Sequence, residues 1–172
     1  MDDGFGQEQG RDRAIVVGVL PEQPLWVLQV AADYARAFHA SLVCVAVDAS
    51  RYAFQELPDG TLLTAPIDPD SLEGEPMFSP DRLREIEDLL SPLGVAWTMR
   101  ELVGVAADSL RRVADETDAL MIVVGTREAG LRGALRSMLT GSIAARLSHR
   151  QYRPVVVVPT APAESDAALL AD

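Results

Sequence analysis

The stretch "GTREAGLRGALRSMLTGS" (Gly125–Ser142) follows the apolar run "ALMIVV" and carries four glycines, three arginines and one acid, Glu128. Glycine lets a main chain adopt positive φ and approach a ligand closely. A helix starting at Gly141-Ser142 would aim unpaired N–H groups and the positive end of its dipole at whatever lies in front of it. Between Arg127 and Arg153, six arginines (Arg127, Arg132, Arg136, Arg146, Arg150, Arg153) face Glu128 alone, a local charge of about +5 in a chain whose total is −11. These residue types in this order suit one chemistry, the holding of a phosphate or another anion. The alternative is that Gly125, Gly130 and Gly133 serve tight turns and the arginines pair with surface acids. Glycine spacing alone does not separate the two.

Other chemistries are poorly provided for. All fifteen basic residues are arginine, so a Walker lysine, a Schiff base and the lysine of a receiver domain are excluded. Cys44 is the single cysteine and sits inside "LVCVAV", which reads as a small buried hydrophobe and precludes an intrachain disulfide. His39 and His149 are far apart, with no metal-ligand spacing. No catalytic residue is assigned. Asp48 ends a strand and His149 falls about two turns into the last helix, away from any phosphate at its start.

The elements that must position the glycine stretch follow from periodicity. "AIVVGVL" (Ala14–Leu20), "SLVCVAVD" (Ser41–Asp48), "ALMIVVG" (Ala119–Gly125) and "PVVVVP" (Pro154–Pro159) are short apolar runs rich in β-branched residues, and "VAWTMRELVG" is also strand-like. Between them lie helical patterns. The first places Leu25, Leu28, Ala32, Ala35 and Phe38 on one face. The second starts at Ser79-Pro80, a cap followed by proline in the first turn, and stops before Gly94. The third sets Leu110, Val113 and Ala114 on one face, and "SIAARLSHR" forms the last. Trp26 and Trp97, each in an apolar run, read as core or core-edge residues. "YAFQELPDGTLLTAPI" reads as a β-hairpin around a Pro-Asp-Gly turn. Strands apolar on both faces that alternate with amphipathic helices predict a three-layer α/β fold, a doubly wound parallel sheet of five strands. Ligands of such sheets bind beyond the carboxyl ends of the strands, where the strand order reverses.

The 172 residues fit one domain. We expect residues 1–12 to form a disordered arm, 13–160 a single domain with an insertion at about 50–78, and 161–172 a disordered tail. Hydrophobic residues make up 48% and aromatics 5%, so the core is aliphatic. The acidic balance argues against nucleic acid as a partner. No apolar run reaches the roughly 18–20 residues of a membrane span, and the acidic start "MDDGFGQEQG" lacks a secretory h-region. A cytoplasmic protein is expected.

"ALMIVVGTREAGLRG" with "GSIAARLSHRQYRPVVVVP" resembles the universal stress protein family, whose signature is Gly, two residues, Gly, nine residues, Gly, then Ser or Thr, between the fourth strand and a closing "xPVxVV". "AIVVGV" and "SLVCVAV" extend the resemblance over most of Ala14–Pro159. It implies strand order 3-2-1-4-5, a regulatory stress-response role and a homodimer paired through the last strand, here Val155, Val156, Val157 and Val158. It also implies ATP or AMP as ligand. Carried over, Gly125, Gly141 and Ser142 fall on phosphate-binding positions, Ile143 adds a main-chain N–H, and Val47 neighbours the adenine. Thr126, Arg127, Gly130 and Gly133 complete the candidate loop. The sequence departs from the family at three places. Leu20 stands where the family has an acid after the first strand, Glu128 replaces the second motif glycine, and Gly125 to Gly141 spans sixteen positions, more than the signature allows. The competing expectation is an interaction module that binds no nucleotide and acts through its dimer surface or hairpin, with Leu20 closing the pocket.

Overall fold

The first strand, β1 (Ala14–Val19), is apolar along its whole length and buried at five of its six positions. Only a strand covered on both faces tolerates that composition. A computed structural model describes residues 13–56, 62–66, 76–126, 143–149 and 151–160. After β1 come α1 (Trp26–Ala37), β2 (Ser41–Asp48), β3 (Arg51–Glu56), β4 (Leu62–Pro66), α2 (Pro80–Leu90), β5 (Trp97–Val103), α3 (Ala106–Glu116), β6 (Met121–Gly125), α4 (Ile143–Ser148) and β7 (Val155–Val158).

Five of the strands form one sheet in the order β5-β2-β1-β6-β7, with every neighbour pairing parallel. Counting sheet strands alone, this is the expected 3-2-1-4-5. Alternate residues of the central strands separate into two apolar layers, as a two-residue period requires. Ile15, Val17, Leu42, Cys44 and Val123 face α1 and α2, together with Phe78. Ala14, Val16, Val43, Val45 and Ile122 face the other way, against Leu110 and Val113 of α3 and Leu147 of α4.

Local chemistry sets the helix ends. Ser79 Oγ accepts from Arg82 N at 3.2 Å and Pro80 opens α2. A short 3₁₀ turn (Ser91–Leu93) then runs into Gly94 at φ 67°. The α1 stripe is Val27, Leu28, Ala31, Ala32 and Ala35. Phe38 is not part of it. The helix has ended, and Phe38 is exposed, its ring stacked on Tyr34 at 6.5 Å. Trp97 packs against the core as expected, whereas Trp26 is 46% exposed.

β3 and β4 form the expected antiparallel hairpin after the second sheet strand, with a register shift between Ala53 and Gln55. Arg51 holds it across the strands through Nη2 and Nε on Thr64 Oγ1, at 2.8 and 3.2 Å. Among the described residues, no helix is long and apolar enough to cross a membrane, and no group of three or more metal-ligating side chains is present.

Candidate functional site

The order in which strands are added reverses between β1 and β6. From β1 the chain proceeds outward through β2 to β5, then returns to build β6 and β7 on the other side. The loops leaving β1 and β6 therefore diverge, and the crevice between them is where a doubly wound sheet receives its ligand. Gly125 is the last residue of β6 and Thr126 follows it.

Both are tightly engaged. A Cβ built on Gly125 would lie 3.0 Å from the Thr160 methyl and 3.1 Å from Gln23 Nε2. The space that glycine leaves is thus filled by the chain itself. Thr126 and Thr160 lock the ends of β6 and β7 together. Thr160 N donates to Thr126 Oγ1 at 2.8 Å, Thr160 Oγ1 donates to Thr126 O at 2.7 Å, and Thr126 N donates to Val158 O at 2.8 Å. Trp26 Nε1 donates to Pro159 O at 2.8 Å and ties the start of α1 to the same corner. That bond explains the indole's place at the rim.

Gln23 closes the turn after β1 twice over. Its N–H donates to Leu20 O at 3.1 Å, and its Oε1 accepts from Leu20 N at 3.2 Å. The side chain is only 8% exposed. Its Nε2 is buried without a hydrogen-bond partner. An unsatisfied buried donor costs about 1–3 kcal/mol. Arg82 of α2 reinforces the corner by donating through Nη2 to Gln23 O, while its Nε is also buried and unpartnered.

The other expected site residues fall as follows. Val47 sits near the end of β2, paired with Leu102, and is half-buried against the α3 layer. Ile143 opens α4 and packs against the same layer. Arg127, Gly130, Gly133, Gly141 and Ser142 lie outside the described residues. Leu20 is 42% exposed, and the group that fills the corner is Gln23. Asp48 is occupied in a turn, accepting from Ser50 N at 2.8 Å and Ser50 Oγ at 2.5 Å. His149 is exposed just past α4.

One member of the arginine cluster belongs elsewhere. Arg153 precedes β7 and so lies at the amino ends of the strands, the far side of the sheet. There it binds Asp115 at 2.5 Å and Ala119 O at 2.8 Å. It lines a hollow of about 680 Å³ with Arg13, Arg111, Asp115, Asp118 and Gln151. Arg111 also pairs with Asp115, at 3.0 Å. Sequence proximity suggested one basic site, but strand direction sends Arg153 to the end of the sheet away from Gly125.

Gln23 and Thr160 were not foreseen. The signal for Gln23 was "PEQP", a polar residue fixed between prolines where the first strand ends.

A three-layer domain whose parallel sheet reverses beside a glycine-ended strand defines a class, the doubly wound proteins that bind ligands at the carboxyl edge. Within that class, the chain belongs to the universal stress protein family, whose sequence profile matches residues 13–159. A universal stress protein in complex with cAMP is 25% identical with a TM-score of 0.59, the match covering 88% of this chain and 100% of that one. A protein of the family from Burkholderia pseudomallei is 25% identical with a TM-score of 0.50, over 87% and 98% of the two chains. A universal stress protein from Archaeoglobus fulgidus shares the fold at 21% identity and a TM-score of 0.55, over 85% and 93%. No curated protein sequence matches the chain.

Proposed function

We propose that this protein is a regulatory stress-response protein that binds an adenine nucleotide or a related phosphorylated ligand in the crevice between the β1 and β6 loops. Gly125, Thr126, Arg127, Gly130, Gly133, Gly141, Ser142 and Ile143 hold the phosphate, and Val47 lies toward the base. One observation carries the reading. The structural neighbour in complex with cAMP is matched over its full length at 25% identity. The position of Gly125 at the reversal point of the sheet supports it. The protein acts as a homodimer through β7, an edge strand that pairs only with β6 among the described strands and leaves Val157 47% exposed. Such an edge is open to pairing with a second copy. Calorimetric titration with ATP, AMP and cAMP tests the ligand. Saturable binding of at least one supports the reading, and silence with all three removes it while leaving the fold intact.

A second reading rests on the hairpin. Tyr52 and Phe54 project from β3 at 48% and 58% exposure, with ring centroids 6.4 Å apart. In this reading the crevice is empty of nucleotide and the hairpin is the working surface. The ratio of 260 to 280 nm absorbance of the purified protein separates the two. Copurified nucleotide raises it above the value set by two tryptophans and three tyrosines.

A further inference from the structure

Helix α1 carries apolar side chains on a flank that the core does not use. Trp26, Val30, Tyr34 and Phe38 follow one another at four-residue spacing, and residues so spaced line up along one side of a helix. Val30 is partly buried against the core, and the three aromatic side chains are exposed. Single exposed apolar residues are ordinary on a protein surface, whereas a contiguous row marks a contact. The row lies on the β7 side of α1. Trp26 at its head is bonded to Pro159 O, just past β7. On the opposite flank, Arg36 lines a small hollow with Leu93, Gly94 and Val95, ahead of β5.

The two faces of β7 are covered unequally. On one face Val155 packs into the α3–α4 layer, and α4 lies against the strand. On the other face Val156 is only partly buried, and neither α1 nor α2 packs on β7 as closely as α4 does. Instead α1 sits over β1, β2 and β6. A helix with its side chains is about 10–12 Å across and strands lie about 4.8 Å apart, so the row reaches out toward β7. The outer edge of β7 is open as well, since among the described strands it pairs only with β6.

We propose that the row Trp26, Val30, Tyr34 and Phe38, with the half-covered face of β7, docks a second copy of the chain, the two rows meeting over a pair of antiparallel β7 strands. The assignment rests on the homodimer reading above and supplies what that reading lacks. β7 has four residues, about 13 Å of edge. Stable interfaces bury about 1,200–2,000 Å² in total, more than main-chain pairing along so short an edge provides. Aromatic side chains are the residue types that fill the centres of interfaces, and each copy brings three. The row is also uncharged. Two chains of net charge −11 repel each other, and an apolar contact lets them approach without setting like charges together. A twofold axis normal to the sheet keeps both α1 helices on the same side of the joined sheets. Trp26 of one copy then lies toward the partner's Phe38.

The test is sedimentation velocity on the full chain over a concentration series, comparing wild type with Tyr34→Glu, Phe38→Glu, Arg36→Glu and Val157→Pro. Pro154 O and Val158 O accept from Ile122 N and Thr126 N, so by alternation the Val157 N–H points to the open edge, and proline there removes an edge donor. Wild type is expected to dimerise. Tyr34→Glu and Phe38→Glu should each raise the dimer dissociation constant at least about tenfold, and Val157→Pro should weaken the dimer too. Arg36→Glu, a larger charge change on the opposite flank, should stay within about twofold. An equal loss in Arg36→Glu would assign the effect to net charge and overturn the proposal. Loss in Val157→Pro with both row variants unchanged would overturn the proposal and leave a homodimer through β7 alone. Loss in the row variants with Val157→Pro unchanged would support docking through the row and overturn pairing through β7. Wild type that stays monomeric at about 100 µM would take down both readings. Thermal melts check folding, and Tyr34→Ser, which adds no charge, replaces a glutamate variant that fails to fold.

Discussion

The two ends of the sheet solve different problems with different chemistry. At the amino ends, a hollow of about 680 Å³ is rimmed by Arg111, Arg153, Asp115 and Asp118, whose charges answer one another. Gln151 closes on Arg153 in both directions, with Oε1 accepting from Arg153 N at 2.7 Å and Nε2 donating to Arg153 O at 2.8 Å. At the carboxyl ends the corner is smaller and mostly neutral, built from Gln23, Gly125, Thr126 and Thr160, yet it keeps a buried donor without an acceptor. Volume is therefore a poor guide to function here. In the roomy hollow, Arg111, Arg153, Asp115 and Asp118 are already paired with one another. A tight corner leaves a buried donor unanswered, which costs stability.

The two ends act separately only if the sheet between them is a dry slab. Cys44 in β2 reads that slab directly, because burial pushes its thiol up to about 12. The unfolded chain releases this proton near pH 9, while the folded chain keeps it. Stability should thus fall as pH rises from 9 toward 12, by about 4 kcal/mol in all. The slope should vanish in Cys44→Ala, as followed by urea denaturation at each pH. A wild-type slope no steeper than that of Cys44→Ala would mean that water reaches the middle of the sheet.

Gly125→Ala probes the carboxyl corner. The added methyl meets Thr160 and Gln23 at 3.0 and 3.1 Å, and overpacking of this kind costs about 1–3 kcal/mol. An unchanged denaturation midpoint would show the corner to be looser than described. Arg153→Ala probes the other end. It removes one of the two arginine partners of Asp115 and the side-chain bond to Ala119 O, at a cost of about 1–2 kcal/mol. Nucleotide affinity should stay within about twofold of wild type, and a larger loss would join the two ends into one site. The smallest effect is expected for Thr160→Val, which keeps the shape and deletes the bond to Thr126 O, lowering stability by about 1 kcal/mol.

Much of the architecture was legible before any coordinates. "AIVVGV" and "SLVCVAV" are apolar at every position, which only a doubly covered parallel strand can use, and their residues do divide between two helix layers. The Ser79-Pro80 start of α2 and its stop before Gly94 were local signals read from local chemistry. Phe38 was misplaced because helical spacing continues past the point where the helix ends. The site was less legible. Leu20, the obvious departure from the family, is exposed, and Gln23, three residues on, fills the corner instead. Arg153 seemed part of the basic cluster, yet it lies across the sheet from Gly125.

Composition and periodicity by themselves determined the layers, the strand count and the hairpin, because burial on two faces and turn chemistry are properties of neighbouring residues. Only the tertiary structure decided which polar groups meet. Gln23 and Thr160 converge on Gly125 from loops more than a hundred residues apart in the chain, and the direction of the parallel strands sends Arg153 to the opposite end. Such meetings depend on how strands are ordered and aimed, and no local pattern encodes that.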